Sequence, residues 1–560
     1  MRALSLSCLE FSSIQKYKII MLSQKINLNK INFWLISSLL ISLIVCIPLF
    51  VISTSFFNEV SSYYDLLKET YIYNYIFNSV FLLLGVLFFT LFLGVGSAYL
   101  VSFFDFPGSK FFTWALILSF AIPGYIYAYS LTAFFEYYGG LFSILTSLFG
   151  EGNYNDYIPR VDSLFGSIVS ISFSLFVYIY LITRASFIYQ SQNLIDAGKI
   201  MGFSNYQTFK RIILPSARPG VIAGLSLVAM ECISDFGTVS FFNVQTLTTA
   251  IYDSWIIFDD IYTAYQLSFF LIFIVFIFFT IERASRSRSK FSMPTRGYQT
   301  ITKIRLIGKK AKFATLFCTI IFFLSFIFPV SQMIFWIFKF PESLDFSLIF
   351  KLTFNTITVV IFTTIVLISL SFFTNYGMRV SKSKLLTLIT NFSVSGYAIP
   401  GIILAVSLLS FVSFVSEFFK IEWVSYIFIG SILSLIIAYS VRFYSLAING
   451  IKSGYDKLNT NLDDASYLMG YSKFGTFLKV HLPFLKQNLV LISMLVSIDI
   501  LKELPITLIL RPFNFDTFAT QAYIYASQDM LEFAAGPSLF LIFFASLFIL
   551  LSKKNILKGF

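Results

Sequence analysis

The chain alternates long apolar runs with short polar segments. Twelve runs are long enough to cross the roughly 30 Å of a bilayer's hydrocarbon as helices. In the first half they are 34–56, 76–101, 112–134, 165–183, 219–239 and 262–281. In the second half they are 313–337, 354–373, 386–410, 423–441, 488–508 and 534–552. Strand-like alternation is absent from this pattern. It predicts an all-α, polytopic membrane protein of about 12 transmembrane helices. Between the halves, Arg283 to Lys312 carries ten Lys or Arg, which sets this segment on the cytoplasmic side. The expected organisation is an N-terminal cytoplasmic segment (1–32), a first repeat (33–282), a basic linker (283–312), a second repeat (313–552) and a cytoplasmic tail (553–560). Met21 offers a second start, so residues 1–20 read as an upstream extension.

The halves repeat. Ala121–Leu131 matches Ala398–Leu408 at an offset of 277, with A-I-P-G opening both. A polar island, D-A-G-K-I-M-G-F-S-N-Y-Q-T-F-K-R-I-I-L-P (Asp196–Pro215), matches D-A-S-Y-L-M-G-Y-S-K-F-G-T-F-L-K-V-H-L-P (Asp464–Pro483) at an offset of 268. The shorter offset places extra external loop near Glu136–Asp162 in the first half. Six spans per half make a parallel repeat, with a path expected between the halves. Each island follows the fourth span of its half, within segments 185–218 and 442–485, so both face the cytoplasm. The predicted form is a bracket: a short helix from Asp196, a turn at Gly202, and a second short helix over Tyr206–Ile213. Pro215 and Pro219 are expected to end that helix and start the next span. Lys199, Lys210, Arg211 and Arg218 keep it out of lipid.

Two acid pairs follow the islands inside apolar runs: Glu231 with Asp235, and Asp499 with Glu503, again 268 apart. At i, i+4 spacing both carboxylates share one helix face. Residue 231 lies about 18 Å past Pro219 at 1.5 Å per residue, near mid-bilayer, where ionisable groups are costly and face an interior or a wet cavity. Two readings stand open. In one, four carboxylates line a path for a hard cation, for which oxygen ligands are suited. In the other, Lys502 or Arg511 neutralises some of them, or they brace the contact between halves.

Composition narrows the field. Charged residues make up 12% of the chain against about 25% in soluble domains. The net charge of +12 is therefore read as the positive-inside bias, with no nucleic-acid partner. Cys8, Cys46, Cys232 and Cys318 are scattered without a metal or disulfide spacing. His481, the single His, takes the position that the other copy gives to Ile213, which points to packing. Without a Ser/His/Asp set the chain has no hydrolase chemistry, so no catalytic residue is assigned. Tyr125, Tyr127 and Tyr129 read as aromatic packing. Pro123 and Pro400 are expected to kink the third spans. No metal ligands are assigned.

The two islands resemble the EAA loops of binding-protein-dependent ABC import permeases, whose pattern is E-A-A, three residues, G, nine residues, I-x-L-P. Asp196 and Asp464 stand in place of Glu, and Gly198 and Ser466 in place of the second Ala. A-I-P-G (121–124), S-D-F-G-T (234–238), K-E-L-P (502–505) and L-R-P-F (510–513) are further similar to the two-repeat, ferric-iron-type permeases. The resemblance covers most of residues 70–535. It implies the ABC importer permease (MetI-like) fold as two parallel six-helix repeats, multi-pass in a bacterial inner membrane with both termini cytoplasmic. It also implies a coupling helix at each loop, carried here by Asp196, Ala197, Gly202, Leu214 and Pro215 and by Asp464, Ala465, Gly470, Leu482 and Pro483. The implied partners are an ABC ATPase subunit, expected as a homodimer, and a periplasmic substrate-binding protein. No G-x-x-x-x-G-K-[S/T] occurs in the chain, so ATP and Mg belong to the partner and the chain itself holds no cofactor. Ferric iron is the favoured cargo. Thiamine, polyamine, phosphonate or another small solute is the alternative in the same fold, and an ATP-independent secondary transporter is the alternative of another class.

Overall fold

The computed structural model describes residues 33–55, 62–136, 139–154, 157–188, 196, 198, 200–287, 302–420, 422–456, 458–459 and 461–559. The possible extension 1–20, Ala197, Lys199 and most of the basic linker lie outside them. Among the described residues, nine helices are long and apolar enough to cross a membrane, and a pair bent by 91°, Ser109–Ala121 with Gly124–Phe149, makes a tenth when counted as one span. Two shorter apolar helices, Phe33–Cys46 and Ile261–Ile274, stand where the first and sixth apolar runs lie. Each of the twelve runs thus has its helix. The chain is an all-α integral membrane protein.

The first repeat contains α1 (Phe33–Ser55), α2 (Ile72–Phe103), α3 (Ser109–Ala115), α4 (Gly124–Phe135), α5 (Leu164–Ile188), α6 (Leu214–Ser234), α7 (Gly237–Phe241) and α8 (Ile261–Ser287). The second contains α9 (Lys309–Phe322), α10 (Phe328–Lys339), α11 (Phe346–Ser381), α12 (Lys384–Ser393), α13 (Gly401–Phe419), α14 (Ile432–Tyr455), α15 (Leu482–Leu501), α16 (Pro505–Leu510) and α17 (Leu531–Gly559).

Four differences from the sequence pattern matter for the site. First, Pro123 and Pro400 break the third spans outright. Ile122 and Ile399 are extended, and each Pro caps the next helix with ψ of 156° and 141°. Proline disfavours helix in the residue before it and has no N–H to give the preceding turn. Second, Pro215 and Pro219 do not stop a helix. One helical run extends from Tyr206 to Ser234, with Pro219 inside it. A π turn over Phe209–Ile213, closed by the Leu214 N–H on the Phe209 carbonyl, shifts the hydrogen-bond register just before Pro215. The same π turn recurs at Phe477–His481 before Pro483. Third, the fifth spans end early, at Ser234 and Leu501, and restart as the short α7 and α16. Fourth, the run 423–441 divides into a short helix, Glu422–Phe428, and α14, which continues to Tyr455. Gly430 at φ +67° makes the turn between them.

The repeats exchange their first spans. Helix α1 lies against α11, α12 and α13 of the second repeat, and α9 and α10 lie against α2, α3 and α4 of the first. Small polar residues seal these contacts: Ser42 Oγ is 3.2 Å from Thr390 Oγ1, and Ser119 Oγ is 2.6 Å from Ser325 Oγ. Such hydrogen bonds replace solvent that lipid cannot supply. The main apolar core accordingly runs through both repeats. The end of the linker is tied down too. Strand β1 (Phe104–Asp105), directly after α2, pairs in parallel with β2 (Ile304–Arg305), so the linker joins the bundle at the end where α2 finishes.

Candidate functional site: two docking brackets and a charged cavity

Both brackets stand at one end of the bundle. In the first, Phe209 packs 4.1 Å from Tyr99, near the end of α2. In the second, Phe477 packs 4.4 Å from Phe372 and 5.3 Å from Trp34, where α11 ends and α1 begins. The N-terminal end of α1, the linker strand and the two brackets therefore share a face.

Each bracket turns on its glycine. Gly202 has φ +76° and Gly470 φ +84°, left-handed backbone that a residue with a Cβ resists. Beyond each turn a side-chain oxygen caps the next helix. Ser204 and Gln207 exchange bonds of 2.9 and 3.3 Å, and Ser472 Oγ accepts from the Gly475 N–H at 3.1 Å. A cation then folds back over an aromatic ring: Arg211 over Phe203 at 5.2 Å, and Lys479 over Tyr471 at 5.0 Å. These pairs occupy matching positions with both residue types changed, so the contact recurs without the sequence. The departures from a second Ala have a cause as well. A Cβ on Gly198 would meet Thr208 Cγ2 at 2.9 Å. In the other copy Ser466 fills this space and sits 2.8 Å from Thr476 Oγ1. Both positions face inward and must be small.

Each bracket leaves an apolar pair outside. Ile200 is 86% and Leu468 90% exposed, each beside an exposed Met, Met201 and Met469. Asp464, Ala465, Gly202, Gly470, Pro215, Leu482 and Pro483 are also exposed, Asp196 and Leu214 half-buried. The second bracket has an additional brace. Asp463 accepts from Arg379 Nε at 2.7 Å and lies 2.7 Å from His481 Nε2. Arg379 also donates to the carbonyls of Leu458 and Asn459. His481 is fully buried, as packing required, but it is also a polar strut. The doublet Asp463-Asp464 splits the work: one acid points in and one out.

The four acids, Asp499 and Glu503 buried and Glu231 and Asp235 half-buried, converge on a cavity of about 90 Å³ between the repeats, together with Tyr125, Ser234, Arg442 and Lys502. They do not share a helix face as i, i+4 pairs. Asp235 and Glu503 sit in the breaks after α6 and α15, where each caps a short helix. Asp235 accepts from the Thr238 N–H and Oγ1, both at 2.9 Å; Glu503 accepts from the Ile506 N–H at 3.1 Å. Gly237 and Pro505, next to the acids in the sequence, are the break signals. The glycines of the two A-I-P-G segments make room. A Cβ on Gly124 would lie 3.4 Å from Asp235 Oδ2, and one on Gly401 2.7 Å from Glu503 Oε1.

Neutralisation is partial. Lys502 pairs with Asp499 at 3.0 Å and lies 3.5 Å over the Phe120 ring of the first repeat. Arg511 turns away to Asp516. Arg442, which the sequence reading did not single out, reaches Glu503 at 3.5 Å and Glu231 at 3.9 Å. Tyr397, the counterpart of Phe120, donates from the second repeat to Glu231. Four carboxylates against two cations leave a formal −2. Among the described residues no three His, Cys, Asp or Glu side chains are grouped to hold a metal ion. Tyr125, Tyr127 and Tyr129 are buried in the core, and Cys46, Cys232 and Cys318 are free thiols.

Comparison with known proteins agrees with this architecture. Residues 29–290 match the family described as "binding-protein-dependent transport system inner membrane component". Over 538 residues, 94% of this chain and 99% of the relative, the sequence is 24% identical to the Fe(3+)-transport system permease protein FbpB 2 of Haemophilus influenzae. A putative 2-aminoethylphosphonate transport system permease protein, PhnU, of Salmonella choleraesuis is 26% identical over 36% of this chain and 70% of its own length. A probable sulfate transport system permease protein, cysT, of Chlorokybus atmophyticus is 24% identical over 26% of this chain and 49% of its own length.

Proposed function

We propose, for a chain that belongs to the family of inner membrane components of binding-protein-dependent transport systems, that it imports ferric iron as the two-repeat permease of an ABC importer. On this reading a binding protein delivers cargo to the external face. A pair of identical ATPase subunits grips the two brackets from the cytoplasm, where both termini also lie. Cargo passes through the cavity between the repeats.

The observation that carries this reading is the duplicate bracket. Two copies, at one end of the bundle, present the same exposed apolar tip beside the same left-handed glycine. A secondary transporter has no use for a matched pair of docking surfaces, whereas a dimeric motor needs one for each subunit. Each bracket is braced by a capping side chain and a cation over an aromatic ring; a braced lever transmits displacement, and a floppy one absorbs it. The cargo assignment is supported by the near-complete match to a ferric-iron permease and by the net-negative cavity lining. Oxygen donors suit a hard cation, and a lining without a tight ligand shell lets it leave as well as enter. Arg442 and Lys502 favour the second reading, a small anionic solute such as a phosphonate.

The test is reconstitution of the permease with its ATPase and binding protein in proteoliposomes. Iron uptake is expected to require ATP and to persist when ion gradients are collapsed. Uptake driven by a gradient without ATP contradicts the importer reading, and ATP-driven uptake of a phosphonate but not of iron contradicts the cargo.

A further inference from the structure

The cavity's charges are unevenly shared. The first repeat contributes Glu231 and Asp235 and no cation. The second contributes Asp499 and Glu503 together with both cations, Arg442 and Lys502. Arg442 has no counterpart in the first repeat. At the offset of 268, its place there is taken by Ser174, which donates to the Ile122 carbonyl at 2.7 Å. A repeat of this fold therefore closes without a cation at that position.

Arg442 is only 5% exposed, yet its Nε and Nη1 make no hydrogen bond. Its two ion pairs, 3.5 Å to Glu503 of its own repeat and 3.9 Å to Glu231 of the other, are held by charge and not by bidentate geometry. The guanidinium has room because Gly401 lacks a Cβ, which would lie 2.5 Å from Nη1. Glu231 is steadied independently by Tyr397 and keeps a fifth of its side chain exposed.

We propose that Arg442 is a tethered counter-cation and the specificity-determining residue of the path. While the repeats are closed it occupies the carboxylate site that Glu231 presents across the interface. When the repeats part, Arg442 stays with Glu503, and Glu231 and Asp235 are left as an uncompensated pair. Cationic cargo and Arg442 are thus alternative partners of Glu231. A buried carboxylate without a counter-charge is costly, so closing without cargo requires Arg442, and the path selects solutes that present positive charge to Glu231.

This inference rests on the cavity being the path, but its test uses no cargo. A cysteine is placed at Ser234, which lines the cavity, in a chain whose native cysteines are replaced by alanine. Its reaction with a membrane-impermeant thiol reagent is followed in the nucleotide-free permease–ATPase complex. Arg442→Gln is expected to raise the labelling rate at least about fivefold, and Arg442→Lys to leave it near the parental rate. Adding Glu231→Gln to Arg442→Gln restores slow labelling, whereas adding Glu503→Gln does not. An unchanged rate in Arg442→Gln, or rescue by Glu503→Gln instead, overturns the proposal. Glu231→Gln alone, which removes the carboxylate that needs the counter-cation and leaves the pair within the second repeat intact, carries the test if Arg442→Gln does not assemble: it labels no faster than the parent, and acceleration overturns the proposal. A cargo other than iron leaves all these outcomes standing.

Discussion

Gly470→Asp is expected to leave the protein in the membrane at near-normal amounts while ATP-driven uptake falls roughly tenfold or more. The glycine sits at φ +84°, with nothing within 4 Å of where a Cβ would stand. The substitution therefore creates no clash. It strains the turn by about 1–2 kcal/mol and sets a charge beside the exposed Leu468–Met469 tip. Neither effect reaches the core shared by the repeats. Gly202→Asp, at φ +76° and equally open, is expected to behave alike, because on the proposed reading each bracket serves one motor subunit. Alanine, uncharged but poorly suited to left-handed backbone, separates the two causes: Gly470→Ala retains most uptake if the charge dominates and loses it if strain does. Uptake and ATPase activity of the assembled complex are the measurements. Normal cargo-stimulated hydrolysis in Gly470→Asp would remove the bracket from the coupling path.

The double substitution Glu231→Gln with Asp499→Asn is expected to abolish most cation uptake without preventing assembly. These acids are the matched pair that reaches the interface, one held by Tyr397 and Arg442, the other by Lys502. Removing both converts a lining of −2 into a neutral one. The amides keep the shape and can still accept hydrogen bonds, so the energetic change falls on charge rather than packing. A loss of roughly tenfold or more in uptake, with membrane abundance and basal ATPase activity retained, is the expected pattern. Unchanged uptake would mean that the acids only brace the repeats.

Much of this was visible in the apolar pattern. Hydrocarbon thickness dictates helix length, so each of the twelve runs has its helix, those of the first and sixth being short over the described residues, and the spacing of the islands placed both glycines at their turns. The four acids were found because a carboxylate in an apolar run is conspicuous. Their geometry was misread because i, i+4 spacing means a common face only while the helix continues. Gly237 and Pro505, just beyond the acids, end it. Arg442 was passed over for a related reason. A hydropathy boundary at Val441 put it at the membrane surface, but α14 runs on to Tyr455 and carries it inward. The brackets' junction with the following span was hidden by another habit of reading: a Pro signals a helix end unless a π turn shifts the hydrogen bonds ahead of it, as at Phe209–Ile213 and Phe477–His481. The exchange of first spans between repeats left no local signal, since a helix reads the same whichever neighbour covers it. Nor did the strut from Asp463 to His481, which joins residues eighteen apart through a fold of the bracket.

The central claim is that the two brackets face the cytoplasm and are gripped there by a motor. The most direct measurement places single cysteines at Met201 and Met469, the exposed tips, and labels them with an impermeant thiol reagent from either side of the membrane. The account predicts labelling of both only from the cytoplasmic side, in inverted vesicles, with both sites protected once the ATPase is bound. Labelling of either tip from the outside, or no protection by the bound ATPase, would contradict it.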